Sequence, residues 1–461
     1  MDRLWQRLEN AAKLFLVFVI GGALSYAGAF PFKPYIHNAF QGTAAVTTQV
    51  LTAFNVCGSD IWFDPKPVGR ADLPTGVTIA KTGQDGEGLV LVTIGQTAKL
   101  LNRKGDIVHE WRRDYGELPA ANGPVGYIIP ESLLYWQRAV VLPDGDLIVM
   151  INSNCLSPDG LAIARLDKDS NVKWVRHGHY NHDFDVGPDG NIHVLWQQPV
   201  AAVPKRYAAS LETPLLDEGI EIISPDGESL KRSSILTAFA KSGYSSIIES
   251  AVTVGDAKPG DRMHNNNVDV LSAAQVSRLP GAKPGDVLIS LRDVGAIAAF
   301  DVTAEKITWA MRGPWLMQHD PDILPNGNVL LFDNRGDWAK DGGSRILEVD
   351  PATGAEAWQY PAKEKPVSEG ELWSAIRGEQ MLLPNGNILI NETQGSRMLE
   401  VTRTHETVWE YRCPFTQNTA PDFRCNIMST RPYSASELPF LKALPTKSAE
   451  ILATTNFSTI D

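Results

Sequence analysis

Three histidines and one arginine stand where the repeating pattern of this chain does not call for them. Turns of the form P-[DN]-G-[DN] occur at Pro143, Pro188, Pro325 and Pro384, and six residues ahead of each lie Gln137, His182, His319 and Gly378. A position filled by Gln, His, His and Gly is not dictated by architecture, so its two histidines need another reason. His264 begins the corresponding strand of an intervening segment, and Arg292 ends the next strand of that segment. Gathered at one point, His182, His264, His319 and Arg292 form a cationic pocket in a protein of formal net charge −12. Such a pocket suits an anion with several oxygens, for which the arginine fork supplies several donors in fixed geometry. A neutral histidine among them is a competent nucleophile. Three convergent histidines are also a metal-ligand set, but their spacing does not favour a metal, and nothing asks for another cofactor. Taken singly, each histidine reads equally well as a hydrogen-bonded polar residue of the fold.

The elements that must carry these residues are hairpins. Leu100–Trp111 and Ala164–Trp174 each read as strand, turn and a strand ending in tryptophan; Ile222–Leu230 is a degenerate copy, and further copies end at Trp309, Trp358 and Trp409. Asp, Gly, Asn and Pro make the reversals. A second hairpin with the proline turn precedes most copies, and the one at Gly285-Asp286 lacks the proline. Two hairpins make a four-stranded sheet, and six such sheets around an axis make an all-β, six-bladed β-propeller. The tryptophans read as packing between blades rather than as a ligand-stacking array. The turns lack the run of oxygen ligands that calcium needs. The longest spacers, 197–220 and 236–262, are expected as loops over one face. Innermost strands run along the central channel, so the four candidate residues are expected to converge at its mouth.

Outside the repeats the chain changes character. Arg3, Arg7 and Lys13 precede an apolar run from Leu14 to Phe30. Residues 1–33 therefore read as a short transmembrane anchor or a signal helix, with Ala27-Gly28-Ala29 as a cleavage site in the second case. Either reading exports the body: anchored to the inner membrane with the propeller in the periplasm, or released there if residues 1–29 are removed. Residues 34–85 read as a linker or stalk, 86–430 as the propeller, and 431–461 as a tail that closes the ring. The acidic balance argues against nucleic acid as a partner. Of four cysteines, Cys57, Cys155, Cys413 and Cys425, none has zinc spacing. Cys413 and Cys425 bracket a short loop and are the candidate disulfide, in keeping with an oxidising compartment.

The same residues resemble the bacterial arylsulfotransferases, which work without a nucleotide sulfate donor. His264-Asn265-Asn266-Asn267-Val268 is similar to that family's H-x-N-S-[IV], and Asp286–Arg292 to its D-x-I-L-x-S-x-R. Gln318-His319-Asp320 through Leu324-Pro325-Asn326-Gly327-Asn328 to Phe332-Asp333-Asn334 follows its longest motif almost throughout. Asn181-His182-Asp183 is similar to its H-H-D, a less specific match. The resemblance spans roughly residues 130–412 and implies a six-bladed propeller. It implies that His319 takes a sulfuryl group from a phenolic sulfate as a covalent sulfohistidine and passes it to a phenol in a ping-pong cycle. His264 and Arg292 would hold the sulfuryl oxygens, and His182 would assist there or in proton transfer. No cofactor is implied.

The chain also departs from the family pattern. Only residues 34–85 separate the apolar segment from the first blade strands, so the family's N-terminal β-domain is expected to be missing. Asp293 follows Arg292 where a histidine or polar residue is common, and Arg262-Met263 replaces a frequent tryptophan. Two other functions remain open from sequence. One is a non-catalytic, membrane-tethered propeller acting as a binding or accessory subunit. The other is a quinoprotein dehydrogenase, which no adjacent cysteine pair or calcium carboxylate set supports.

Overall fold

The computed structural model describes residues 62–63, 72–83, 88–119, 133–153, 158, 160–209, 211, 215–249, 260–335, 343–362, 372–417 and 420–444. Residues 1–33, Cys57, Cys155 and the tail beyond 444 lie outside the described residues. Among those described, no helix is long and apolar enough to cross a membrane.

Six antiparallel sheets form the blades of a β-propeller. The second runs from Leu134–Val141 through Leu147–Ser153 and Gly160–Leu166 to Val172–His177. Tyr180–Val186, Ile192–Val200, Leu215–Ile223 and Ser229–Ser234 make the third, and Asp269–Val270, Val287–Leu291, Ala296–Asp301 and Lys306–Arg312 the fourth. The fifth is His319–Ile323, Val329–Asp333, Arg345–Val349 and Glu356–Tyr360. Glu379–Leu382, Ile388–Glu392, Arg397–Val401 and Thr407–Arg412 build the sixth. The first blade is completed from both ends of the chain: Ser429–Tyr433 lies inside Leu89–Ile94, Thr97–Asn102 and Ile107–Arg112. Ring closure thus uses residues just ahead of, and overlapping, the segment expected to supply it. It ties the last strand to the first blade and makes it that blade's innermost strand.

The apolar runs of the middle strands follow from this arrangement. Side chains alternate across a strand, and each face of a blade is covered by a neighbouring blade. Val329 and Leu331 enter the cluster shared with the fourth blade, while Leu330 and Phe332 enter the one shared with the sixth. A sheet buried on both faces needs no polar alternation, which is why these strands read as V-L-L-F. Six such clusters, one per interface, make up most of the core.

The repeated tryptophans sit in the outer strands and fasten neighbouring blades. The indole N–H of Trp111 donates to Gly145 O at 3.1 Å, Trp174 to Pro225 O at 2.9 Å, Trp358 to Arg403 O at 2.9 Å and Trp409 to Arg103 O at 2.9 Å. Each bond crosses to a turn of the next blade, the last spanning the junction from sixth to first. In the degenerate third blade, Ser233 Oγ donates instead to Val302 O at 2.7 Å.

Two expectations need correction. The segment read as a stalk contributes strands: Gly76–Ala80 adds a fifth, outermost strand to the sixth blade, and Trp62–Phe63 pairs with Arg424 and Cys425. The spacer after the third blade is not all loop. Ser234 caps a short helix, Ile235–Ala240, accepting the Thr237 N–H at 3.0 Å, and Ile235, Leu236, Ala238 and Phe239 are buried in the third–fourth interface. Cys413 and Cys425 form a disulfide with Cα atoms 6.0 Å apart, beside the sixth–first interface.

Candidate active site

A pocket of about 240 Å³ opens at the mouth of the channel, and the inner strands, the turns leading into them and the ends of two second strands supply its wall. The four residues six ahead of the prolines, Gln137, His182, His319 and Gly378, all line it, as do His264 and Arg292. The backbone there is irregular in a consistent way. Strand register breaks between Trp136 and Arg138, between Tyr180 and Phe184, and between His319 and Asp322. His182, His264, Asp320 and Arg377 take positive φ, at 63°, 51°, 51° and 61°. Left-handed backbone costs a non-glycine residue about 1 kcal/mol or more and collects at functional sites. Here the bulges turn side chains off the pleat and into the channel. In the sixth blade the position is Gly378, at φ 99°, where a Cβ would stand 2.7 Å from the Phe332 ring. No histidine fits there.

His319 is held in one tautomer by a closed circuit of bonds. Its Nδ1 faces two acceptors, Asn334 Oδ1 at 2.7 Å and Met317 O at 3.1 Å, so Nδ1 carries the proton. The Asn334 amide is itself fixed, because its Nδ2 donates to Ser374 O at 2.8 Å and Arg377 O at 2.5 Å. The Nε2 lone pair accepts the Arg377 backbone N–H at 3.2 Å. Burial, helped by the Arg292 charge, pushes the His319 pKa down to about 3. The ring is therefore a neutral base whose unprotonated nitrogen, Nε2, accepts the N–H of Arg377, a fellow lining residue of the pocket.

Around it stand the other candidates. Arg292 lines the pocket and donates through Nε to Asp293 Oδ1 at 2.7 Å, while its terminal nitrogens have no protein partner among the described residues. Asp293, the departure noted in the sequence, thus orients the fork rather than filling it; burial raises its own pKa to about 6. His264 Nδ1 lies 2.6 Å from Asp261 Oδ2. The next residue is fixed from below, where Glu218 accepts the Asn265 backbone N–H at 3.1 Å and its Nδ2 at 2.6 Å. The His182 ring centroid is 4.6 Å from that of His264. Its Nε2 is buried without a partner among the described residues. Burial, then the charges of His264, Arg292 and His319, hold its pKa well below the ordinary histidine value.

Beneath the histidines lies a layer of carboxylates that the sequence reading did not single out. Asp183 accepts the Val268 N–H at 2.7 Å, Asp320 the Gln380 N–H at 2.9 Å and Glu379 the Thr430 N–H at 2.5 Å. Each bond runs from one inner strand to the chain of the next blade. Arg138 spans the layer, 2.7 Å from Asp183 and 2.8 Å from Glu379. Burial raises Asp183 and Asp269 to about 7 and Glu379 to about 8, against the opposing charge of Arg138 on Asp183 and Glu379. A carboxyl whose folded pKa exceeds its unfolded one stabilises the fold below the unfolded value and loses that contribution as pH rises through the folded value. The urea midpoint is accordingly expected to fall between about pH 4 and about pH 8, and to fall less in Glu379→Gln. His319 and His182 act oppositely, lowering stability as pH drops below the ordinary histidine value. Equilibrium unfolding from about pH 3 to about pH 9 checks both limbs.

The comparisons with known proteins follow this geometry. Residues 138–413, more than half the chain, match the arylsulfotransferase (ASST) family model. The chain belongs to the arylsulfotransferase family. Its matched span begins at Arg138 in the pocket wall, includes all four candidate residues and ends at Cys413 of the disulfide. A search of curated proteins finds no significant match. Among solved structures, a Bacteroides caccae protein of unknown function aligns at 11% identity and TM-score 0.45, covering 73% of this chain and 97% of that one. A streptogramin B lyase aligns at 12% identity and TM-score 0.38, over 75% and 88% of the two chains. Kuenenia stuttgartiensis hydrazine synthase aligns at 13% and 0.38, over 72% and 78%.

In and behind this arylsulfotransferase-family pocket stand residues that sequence reasoning passed over. Asn334 closes the longest motif, and its role follows only from its place opposite Nδ1. Asn266 lines the pocket and donates to Gln318 O at 2.9 Å. Asp261 sits one helical turn's spacing ahead of His264, a signal too short to read without the backbone path. Arg377 had no signal at all. Among the described residues no cluster of His, Cys, Asp or Glu is arranged to hold a metal ion.

Proposed function

We propose that this protein is a nucleotide-independent aryl-sulfate sulfotransferase that works by a ping-pong cycle through a sulfohistidine at His319. The observation that carries this reading is the neutral, tautomer-locked His319 ring beside the Arg292 fork. Nε2 attacks sulfur as the bond to the phenolic oxygen breaks, and the developing positive charge on the ring is met at Nδ1 by Asn334 Oδ1. The Arg377 N–H, a long 3.2 Å donor to that lone pair, yields its place to the incoming sulfur. Arg292 and His264 hold the sulfuryl oxygens, with His182 at their side. Sulfuryl transfer, like phosphoryl transfer, needs position and charge stabilisation more than elaborate covalent machinery. A phenol then takes the group from His319 and restores the free enzyme.

The N-terminal charge pattern supports placing this propeller on the outer side of the inner membrane, where phenolic sulfates arrive without a nucleotide donor. The test is a mass spectrum after brief mixing with 4-nitrophenyl sulfate and no acceptor. The expected result is a sulfuryl-sized adduct on the peptide carrying His319, lost when a phenol is added. Neither adduct nor phenol release across several donors overturns the reading in favour of a binding propeller.

A further inference from the structure

In-line transfer fixes where the phenolic oxygen must lie, and one side chain on that side of the pocket has no task in the fold. Sulfuryl transfer, like phosphoryl transfer, keeps the attacking and leaving atoms roughly in line, on opposite sides of the group that moves. His319 attacks from the inner strand of the fifth blade. In a ring of six blades the second stands opposite the fifth, across the channel. The phenolic oxygen therefore lies toward the inner strand of the second blade, Leu134–Val141.

That strand breaks register between Trp136 and Arg138, which leaves Gln137 as the unpaired residue of the bulge. Both of its neighbours are committed. Trp136 is fully buried in the core shared by the first and second blades, and Arg138 is held between Asp183 and Glu379. Gln137 is partly buried and lines the pocket, and its side-chain amide has no protein partner among the described residues. Other polar groups of the wall are engaged. The Tyr135 hydroxyl accepts from Arg377 at 3.3 Å, and Asn266 gives its Nδ2 to Gln318 O at 2.9 Å. Asp183, Asp320 and Glu379 accept backbone N–H groups of the next blade. A glutamine amide brings two N–H donors and no charge. At the same offset from the proline turn the other blades carry His182, His319 and Gly378, so the architecture does not ask for an amide here.

Resting on the sulfotransfer reading, we infer that Gln137 contacts the substrate and that its amide N–H holds the phenolic oxygen in both half-reactions. In the first, the His319 Nε2 lone pair forms the N–S bond while the S–O bond electrons leave on the phenolic oxygen. Aryl sulfate monoanion and neutral imidazole become phenoxide and a zwitterionic sulfohistidine, so net charge is unchanged. Gln137 donates to the oxygen as its charge grows. The phenoxide departs, an acceptor phenoxide takes its place, and the same bonds are exchanged in reverse. The protons that relate phenoxide to phenol pass to and from water outside these steps. The pocket thus has two ends: the sulfuryl group lies between His319 and Arg292, and the aryl oxygen lies against the second blade.

The experiment titrates the two ends separately in wild type and in Gln137 variants. Inorganic sulfate probes the Arg292 end by calorimetry, and 4-nitrophenolate probes the Gln137 end by its change in absorbance on binding. Gln137→Leu, close in volume, is expected to weaken 4-nitrophenolate ~10-fold or more and to leave sulfate affinity within ~2-fold. Gln137→Glu should weaken the phenolate further, because like charges then meet. Gln137→His should recover part of the affinity, since it restores a neutral N–H at an offset where two other blades carry histidine. A folded Gln137→Leu protein that keeps its affinity for 4-nitrophenolate, or loses both anions equally, overturns the inference while leaving sulfotransfer intact. A wild-type protein that binds neither anion and forms no sulfuryl adduct overturns the sulfotransfer reading itself, and this inference with it.

Discussion

On the proposed mechanism, His319→Ala is expected to remove aryl-sulfate turnover, with a drop of ~10⁴-fold or more in kcat, and to eliminate the sulfuryl adduct. The size follows from its role as the proposed nucleophile, whose Nε2 forms the bond to sulfur. Nδ1–H is committed to Asn334 and Met317, so only Nε2 is available to sulfur. The fold should survive, because the substitution costs no more than three former partners, Asn334 Oδ1, Met317 O and the Arg377 N–H. An unsatisfied buried group costs about 1–3 kcal/mol, well inside the reserve of a body with six apolar interfaces. Circular dichroism and the unfolding midpoint report the fold, and single-turnover release of 4-nitrophenol reports the chemistry. Full activity in the folded variant would contradict the assignment of the nucleophile.

Arg292→Met is the second large effect, a fall of about 10²–10³ in kcat, the loss typical of removing one charged or hydrogen-bonding group from a transition state. On the proposed mechanism charge spreads over the sulfuryl oxygens as sulfur passes between nitrogen and oxygen, and Arg292 lines the pocket with its Nε held by Asp293. Arg292→Lys should recover only part of the rate, since a point charge lacks the planar fork. The same change should alter the adduct's rate of formation more than the KM for the donor. Burst kinetics separate the two. A proportional rise in KM with kcat unchanged would instead make Arg292 a simple binding residue.

Much of this was legible in the chain because the fold repeats. Copies of one hairpin give internal references, and a residue that varies among them at a fixed offset stands out. That offset led to His182, His319, Gln137 and Gly378, and all four line the pocket. The tryptophans were readable for the same reason, although only coordinates reveal that their indole N–H groups, not just their rings, hold neighbouring blades. Segments outside the repeat were read less well. Gly76–Ala80 looked like a stalk because it is short and flanked by Pro and Gly, yet an open outer edge of the sixth blade recruits it. The helix Ile235–Ala240 hid in a spacer because its six residues are too few to display a period.

The sequence by itself determined the repeat, the number of blades, the acidic background and the four residues at the channel mouth. These follow from local rules: turn chemistry, strand alternation, and the type of each side chain at a given offset. Tertiary structure alone decided which nitrogen of His319 is free, which histidine has a carboxylate behind it, and that Asp183, Asp320 and Glu379 tie one inner strand to the next. The first and last of these depend on partners far apart in the chain, Asn334 with Arg377 or Asp320 with Gln380, and on bulges that reverse where a side chain points. A single left-handed residue such as His182 or Asp320 redirects a side chain without changing any local pattern. Chemistry at this site is set by those directions, and they exist only once the ring has closed.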